Sequence, residues 1–580
     1  MIRLFINFFN NKNVLRVFIT TIIGLILSII VKEYGTLHFT GMDYGVLTSA
    51  AYQYFLGYKP YSDIITGTPP VYLILGKISF DLFGVKFASF VYITAIVTFF
   101  TFLYLVWVWY KISNSLIKSL IYSLTAEIVI IFTFSTINYN RFSLISATMY
   151  ILTLIYFIKQ KRQLFSSFLL IIQGAILLLV KANIAVSLIL FSFIILIRLN
   201  NKIKTLIIYT TSFLVFLLLL SFSNINIFNL IKNYLWHGGR AFDPSVWKIF
   251  ILNGWEVKQT FIFFTPITVI LLISLIAVVI NKSIFKKCNL QFVYFQIILL
   301  SVLIGIIGLI TNNDLNFVDG FLILNGIILI PIIYKNILQN TNIYKIYNIV
   351  IYATCSFLII YGLIIGINRV NISEGGPSFF YEYAYYPSEK CLFLSDTKCR
   401  QLIIGSTAKL LNLNVQDTGN FRYLVKSKYS FFNSMLIEQN LEETEDEINK
   451  VILFFKKNGV NKDKIGFGPR IDFNYATFKI KPPKGPLWWE AFSYVKPDEK
   501  LISMVQKYRN NNKLIFIHLK QIYQFYPPLL YGGYIISEHD LVQTSMLDIW
   551  FNKQDKQTQK IKEAYKKMLK DEGIEYIESE

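Results

Sequence analysis

Residues 86–110 read KFASFVYITAIVTFFTFLYLVWVWY, a run whose one charge is Lys86 at its start. As a helix such a run is long enough to cross the roughly 30 Å hydrocarbon core of a bilayer. Comparable runs recur at about 14–31, 116–136, 142–158, 164–180, 183–198 and 205–222. Four more follow at about 260–280, 290–310, 317–334 and 346–366. The pattern predicts a polytopic α-helical membrane protein with about 11 transmembrane helices. Composition agrees: with 54% hydrophobic and 16% charged residues, a soluble chain of 580 residues would lack the polar surface to cover itself.

The charges between the runs set the topology. Arg3, Lys12 and Arg16 stand before or at the start of the first run and place the N-terminus in the cytoplasm. The first run is too long, and lacks the small-residue cleavage site, to read as a removable signal peptide. Alternation then assigns to the cytoplasm the connections holding Lys111 and Lys118; Lys159, Lys161 and Arg162; Arg198, Lys202 and Lys204; Lys282, Lys286 and Lys287; and Lys335 and Lys345. The opposite short connections carry Arg141, Lys181 and Asp314. An odd number of spans puts the polar remainder, about 368–580, outside. The net charge of +21 is thus largely a topology signal, and no basic stripe with interleaved aromatics points to nucleic acid.

The division expected is a transmembrane module over 1–367 and a soluble extracytoplasmic α/β domain over 368–580. In the latter, 442–457 has helical periodicity, 464–467 and 514–518 read as short strands, and a charged helix-rich tail follows Asp555. A β-hairpin layer on the membrane is the alternative. Two longer external loops interrupt the module, at 32–85 and 223–259. The first, with Asp43, Asp63, Pro60-Tyr61 and Pro69-Pro70, reads as amphipathic helices lying on the membrane. Cys391 and Cys399 lie eight apart, a spacing equally open to a disulfide or two thiols, and no Cys/His cluster has zinc spacing.

External carboxylates and cations are the residues to watch. Asp43 (in Gly-Met-Asp-Tyr-Gly) and Asp63 suit a general base for an alcohol or amine acceptor, and equally suit helix caps and turns. Arg141 and Lys181 break the positive-inside pattern; they bind a lipid phosphate or snorkel to headgroups. Residues 236–244, Trp-His-Gly-Gly-Arg-Ala-Phe-Asp-Pro, set His237 beside Arg240 with glycines and aromatics, a sugar or phosphate contact unless the histidine is structural. Glu127, in mid-span, pairs inside the bundle or serves a proton-coupled carrier. There is no Walker A loop, Gly-x-Ser-x-Gly elbow or His-Glu-x-x-His.

The first loop has an ordered layout: Asp43, Ala51 to Gly57, Lys59-Pro60-Tyr61-Ser62-Asp63, Gly67-Thr68-Pro69-Pro70-Val71-Tyr72 and Leu82-Phe83-Gly84. This resembles the GT-C superfamily of membrane glycosyltransferases, in the branch around protein mannosyltransferases and aminoarabinose transferases. Lys481-Pro482-Pro483 with Gly485-Pro486-Leu487-Trp488-Trp489 resembles a stretch in the tail of bacterial members. Two departures stand out. Tyr44 follows Asp43 where many relatives have Glu, and Thr68 stands where the aminoarabinose branch has a lysine before Pro-Pro.

The resemblance implies an inverting transfer of a sugar from a polyprenyl-phosphate carrier to a lipid, glycan or protein acceptor at the outer face. It implies Asp43 as base and Asp63 orienting Asp43 or the sugar. Arg141, Lys181 and Arg240 would bind the lipid phosphate. Tyr44, Tyr61, His237, Trp488 and Trp489 would contact substrate, the tryptophans alternatively packing in the core. No metal ligand is assigned; the missing Glu leaves dependence on a divalent metal open. The competing class is a transporter or lipid-linked sugar flippase, against which stand the lack of an internal repeat and the large external domain.

Overall fold

The computed structural model describes residues 12–37, 41–86, 88–133, 139–159, 164–180, 182–199, 202–237, 441–467 and most of 539–578, with short pieces within 352–360, 480–486 and 514–519. It is mostly helical. Each of the seven apolar runs before residue 223 is a helix: α1 Lys12–Leu37, α4 Ala88–Ser113, α5 Leu116–Thr133, α6 Tyr139–Lys159, α7 Leu164–Leu179, α8 Ala182–Leu199 and α9 Lys202–Phe222. Two helices lie in the first loop, α2 Gly41–Phe55 and α3 Pro70–Phe83, and one in the second, α10 Ile227–His237. Among the described residues, four helices are long and apolar enough to cross a membrane: Val14–Glu33, Ala88–Ser113, Arg141–Lys159 and Lys202–Phe222. Leu164–Leu179 and Ile184–Ile197 are shorter apolar helices. The runs expected at 260–280, 290–310 and 317–334, and nearly all of 346–366, fall outside the described residues.

The helices pack side by side: α1 along α4, α4 against α5 and α6, α6 against α7, and α7 against α9. The inside of this bundle holds Trp109 against Tyr122, ring centroids 4.8 Å apart, with Leu105, Val108, Ile151 and Leu154. The outside is also apolar. Val17, Ile29, Phe100, Ile117, Leu164, Leu206 and Leu218 are exposed. Left in water, each such side chain forfeits about 1.5–3 kcal/mol of burial. Hydrocarbon removes that loss, and helices satisfy their own backbone groups there.

The first loop departs from the expectation of helices laid on a membrane. Thr48, Ser49, Ala50, Ala51, Tyr52, Gln53 and Tyr54 are all buried, so this half of α2 is enclosed on every side. It packs on α3, which packs on α4. Small residues permit the approach: a Cβ on Gly76 of α3 would stand 2.4 Å from Ala51 Cβ and 2.9 Å from Phe90 Cζ. Proline opens α3 at its first position, where the missing N–H costs no hydrogen bond. Gly84, at φ 81°, closes it.

The described part of the polar remainder is a five-stranded sheet with two helices. Helix α11 Leu441–Lys457 leads into β2 Ile465–Phe467; β4 Ile515–Leu519, β5 His539–Gln543, β6 Leu547–Asn552, α12 Lys556–Asp571 and β7 Ile577–Glu578 follow. The order is β2-β4-β6-β5-β7, with β2 parallel to β4 and the other pairs antiparallel. The helix read at 442–457 is α11, the strands read at 464–467 and 514–518 are β2 and β4, and the tail helix is α12. Phe455 of α11 and Tyr565 of α12 both meet Phe551 of β6 at 6.0 Å between centroids, so the two helices share one face of the sheet. Asp555 caps α12 by accepting the Thr558 amide at 2.7 Å. That hydrogen bond holds its carboxyl below the usual range. Lys562 of α12 reaches Asp540 at 3.1 Å and Glu578 at 2.9 Å, and Lys566 reaches Glu578 at 2.6 Å, tying the helix to β5 and β7.

Candidate functional site

The first-loop motif folds as a strap, residues 56–69, between α2 and α3. Lysine, proline and glycine set its turns. Gly57 takes φ 87°, and Tyr61 takes φ 63°, a conformation uncommon outside glycine. Lys59 O accepts the Asp63 amide at 2.9 Å, and Asp63 Oδ2 accepts the Lys59 amide at 3.2 Å. Asp63 therefore closes its own turn. Tyr61 is buried and donates to Thr68 O at 2.6 Å, while Thr66 Oγ1 donates to Thr68 Oγ1 at 2.7 Å.

Helix α10 holds the strap from one side. Asn233 Nδ2 donates to Thr66 O, and the Tyr234 ring lies 6.4 Å from that of Tyr61. Tyr54 OH, at the end of α2, donates to Ser223 O at 2.5 Å just before α10. The polar remainder holds it from another. Strand β1, Ile64–Ile65, pairs in parallel with β3, Gly485–Pro486. Tyr58 OH donates to Pro482 O at 3.0 Å. Burial, then the neighbouring charge of Asp63, pushes the Tyr58 phenol up, which keeps it a donor.

The expected site residues are spread over several elements. Tyr61 and Asp63 lie in the strap with Tyr58, Thr66 and Thr68, and Asn233 and Tyr234 of α10 hold it; of these companions sequence reasoning singles out Thr68 alone. Asp43 and Tyr44 lie in the first turn of α2, ahead of its buried half. His237 is the last residue of α10. Lys181, between α7 and α8, and Arg240, Trp488 and Trp489 lie outside the described residues. The tryptophans follow β3 within three residues in sequence.

Arg141 sits elsewhere. It is 1% exposed in the first turn of α6 and donates to Thr98 Oγ1 of α4 at 2.9 Å. A guanidinium enclosed by protein does not reach out to headgroups, so snorkelling gives way to burial. Glu127 of α5, wholly buried, accepts from Thr101 of α4 at 2.7 Å. Arg141 and Glu127 thus hang from threonines three residues apart on one helix. Among the described residues no three His, Cys, Asp or Glu side chains form a group able to hold a metal.

Apolar helices with apolar outer faces, and a buried cation and carboxyl among them, define a helical membrane protein. Comparisons with protein families, with curated proteins and with solved structures give no match. The polar groups of the strap are bonded within the protein: Tyr58 to Pro482, Tyr61 to Thr68, Thr66 to Thr68 and Asn233 to Thr66.

Proposed function

We propose that this protein is an integral membrane glycosyltransferase of the GT-C kind, moving a sugar from a polyprenyl-phosphate carrier to an extracytoplasmic acceptor. In this reading eleven spans leave the N-terminus in the cytoplasm of a bacterial plasma membrane and the α/β domain outside. Asp43 takes the proton from the acceptor's hydroxyl or amine as that atom bonds to the anomeric carbon. The bond from that carbon to the phosphate oxygen breaks on the opposite face, which inverts the centre, and polyprenyl phosphate leaves. Lys181 and Arg240 are the cations proposed to take up the negative charge, Arg141 being enclosed against Thr98. The strap, with Tyr61 and Asp63, is proposed to orient the sugar.

One observation carries the reading. The two stretches on which the resemblance rests meet: the strap pairs with Gly485–Pro486, and Tyr58 bonds Pro482 across a sequence separation of 424 residues. A first loop that served only to join two helices would have no reason to recruit that stretch. The buried Glu127 favours the second reading, a flippase or proton-coupled carrier.

Full-length protein in proteoliposomes, given labelled polyprenyl-phosphate mannose, glucose or arabinose and an envelope extract as acceptor, separates the two. Release of polyprenyl phosphate with label on the acceptor supports transfer; movement of the labelled lipid between leaflets without turnover supports the carrier. Asp43→Asn abolishes transfer while leaving insertion intact; full activity in that variant overturns the role given to Asp43.

A further inference from the structure

Helix α5 carries a second pattern, unused by the reaction above. Ser115, Ser119, Ser123 and Glu127 recur every fourth residue, which puts them in one line along the helix. Ser119, Ser123 and Glu127 are each 0% exposed. The line begins at the α4–α5 turn, where Ser119 Oγ donates to Ser115 O at 2.6 Å and lies 3.2 Å from Ser113 Oγ. It ends at Glu127, whose Oε1 is held by Thr101. Two oxygens along it, Ser123 Oγ and Glu127 Oε2, make no hydrogen bond among the described residues.

A line of serines alone fits close helix packing and nothing more. The carboxyl changes that, because a buried oxygen without a partner loses its hydration for no return. The Thr101 hydroxyl decides what the carboxyl can do. Its one hydrogen has two acceptors within reach, Glu127 Oε1 at 2.7 Å and Thr98 O at 3.0 Å. With Glu127 ionised, Thr101 donates to the carboxylate. With a proton on Glu127, the acid donates to Thr101 Oγ1, and Thr101 turns its hydrogen to the Thr98 carbonyl. Both states keep a hydrogen bond at this end without moving a heavy atom.

We propose that Glu127 is a proton-exchange site inside the membrane, loaded from the α4–α5 turn by water that bridges Ser119, Ser123 and the carboxyl. One proton is gained and lost, and the carboxyl alternates between carboxylate and acid. Among the described residues Arg141, from α6, is the charged group acting on it, held off by Thr98 and Thr101 so that no direct ion pair between them fixes the ionised state. Tyr104 of α4 is engaged with Thr153, Arg16 of α1 with Tyr110, and Cys355 with Thr125 on α5. The site does not depend on sugar transfer.

Infrared difference spectra of the full-length protein in liposomes, recorded on pH jumps in H2O and D2O, test this. The expected result is an isotope-sensitive carboxylic-acid carbonyl band that appears on acidification and is lost in Glu127→Gln, a change that keeps an acceptor for Thr101. Glu127→Asp should shift that band, a second check if the Gln variant misfolds. Ser123→Val should keep the band and slow its appearance. An unchanged difference spectrum in Glu127→Gln overturns the site, and an unchanged rate in Ser123→Val overturns the route. Transfer assayed in parallel is expected to persist in Glu127→Gln.

Discussion

Gly76 is the point at which the first loop is locked to the bundle, and Gly76→Ala tests that directly. Carbon atoms rest about 3.5–4.0 Å apart, whereas the new methyl would meet Ala51 Cβ at 2.4 Å. Both atoms are fixed to helix backbones, so α2 and α3 must separate by more than about 1 Å. Overpacking of this sort costs about 1–3 kcal/mol. Alanine returns about 1 kcal/mol of helix propensity over glycine, so the single variant falls only modestly in stability. The diagnostic is the double-mutant cycle with Ala51→Gly. In the double variant the propensity terms cancel, the Ala51 methyl is gone, and the ring edge of Phe90 at 2.9 Å can rotate aside. A favourable coupling of about 1–3 kcal/mol is expected from the steric cost released. Equilibrium unfolding of the four proteins in mixed micelles measures it. Two single changes that add to within about 0.5 kcal/mol would refute the contact. If Asp43 is the base, Gly76→Ala also lowers transfer far more than stability, since a displacement of about 1 Å at a reacting group costs on the order of 100-fold.

Other outcomes follow from the strap and the sheet. Tyr58→Phe deletes the bond to Pro482 O and should cost about 1 kcal/mol, seen as faster hydrogen exchange around residues 58–65 and 482–486. Asn233→Leu removes the buried bond to Thr66 O; a loss of about 1 kcal/mol in detergent melts is expected, and an unchanged melt would sink the clamp by α10. The ion cluster on α12 gives a pH dependence with two limbs. Burial works to raise the Glu578 carboxyl, but the hydrogen bonds from Lys566 and Lys562 outweigh it and hold it low. Its contribution is therefore present above the unfolded carboxylate range and lost as pH falls through its own lowered value. For Lys562, burial works to lower the ammonium and the bonds it donates to Glu578 and Asp540 outweigh it; for Lys566 the bond donated to Glu578 leads, and both are raised. Their contribution is present below the unfolded lysine value and lost as pH rises through the folded one. Protection of the β5 and β6 amides in the full chain, taken relative to the intrinsic exchange rate at each pH, should fall at both extremes, and Glu578→Gln should flatten both limbs; pH dependence unchanged in that variant would remove the cluster from the sheet's stability.

What could be read from the chain was whatever a single segment declares about itself. The run at 86–110 is helical because nothing else crosses so long an apolar stretch, and α4 lies where it was expected. The strands at 464–467 and 514–518 were legible from β-branched and aromatic residues bounded by turns. The two helices of the first loop are legible, but the enclosure of α2 is not, because amphipathicity is a signal about one face and Thr48 to Tyr54 are buried on all of them. Gly76 and Ala51 are each unremarkable in sequence; only their meeting is informative. The same limit hid Asn233 and Tyr234, whose importance comes from the strap they touch rather than from their neighbours in the chain. Arg141 was noticed as an exception to the charge pattern, but its direction, inward to Thr98, belongs to helix packing that no local reading contains.

The long-range tie between Tyr58 and Pro482 has a consequence for how the molecule is made. A ribosome that has just added Tyr58 must still synthesise the 424 residues that separate it from Pro482. During that time α2 and α3 can dock, but the strap has no β3 to pair with. The strap is thus completed late although it is translated among the first. A nascent chain arrested before residue 482 would carry every helix described in the bundle and still have an unfinished first loop, which waits for the stretch around Pro482.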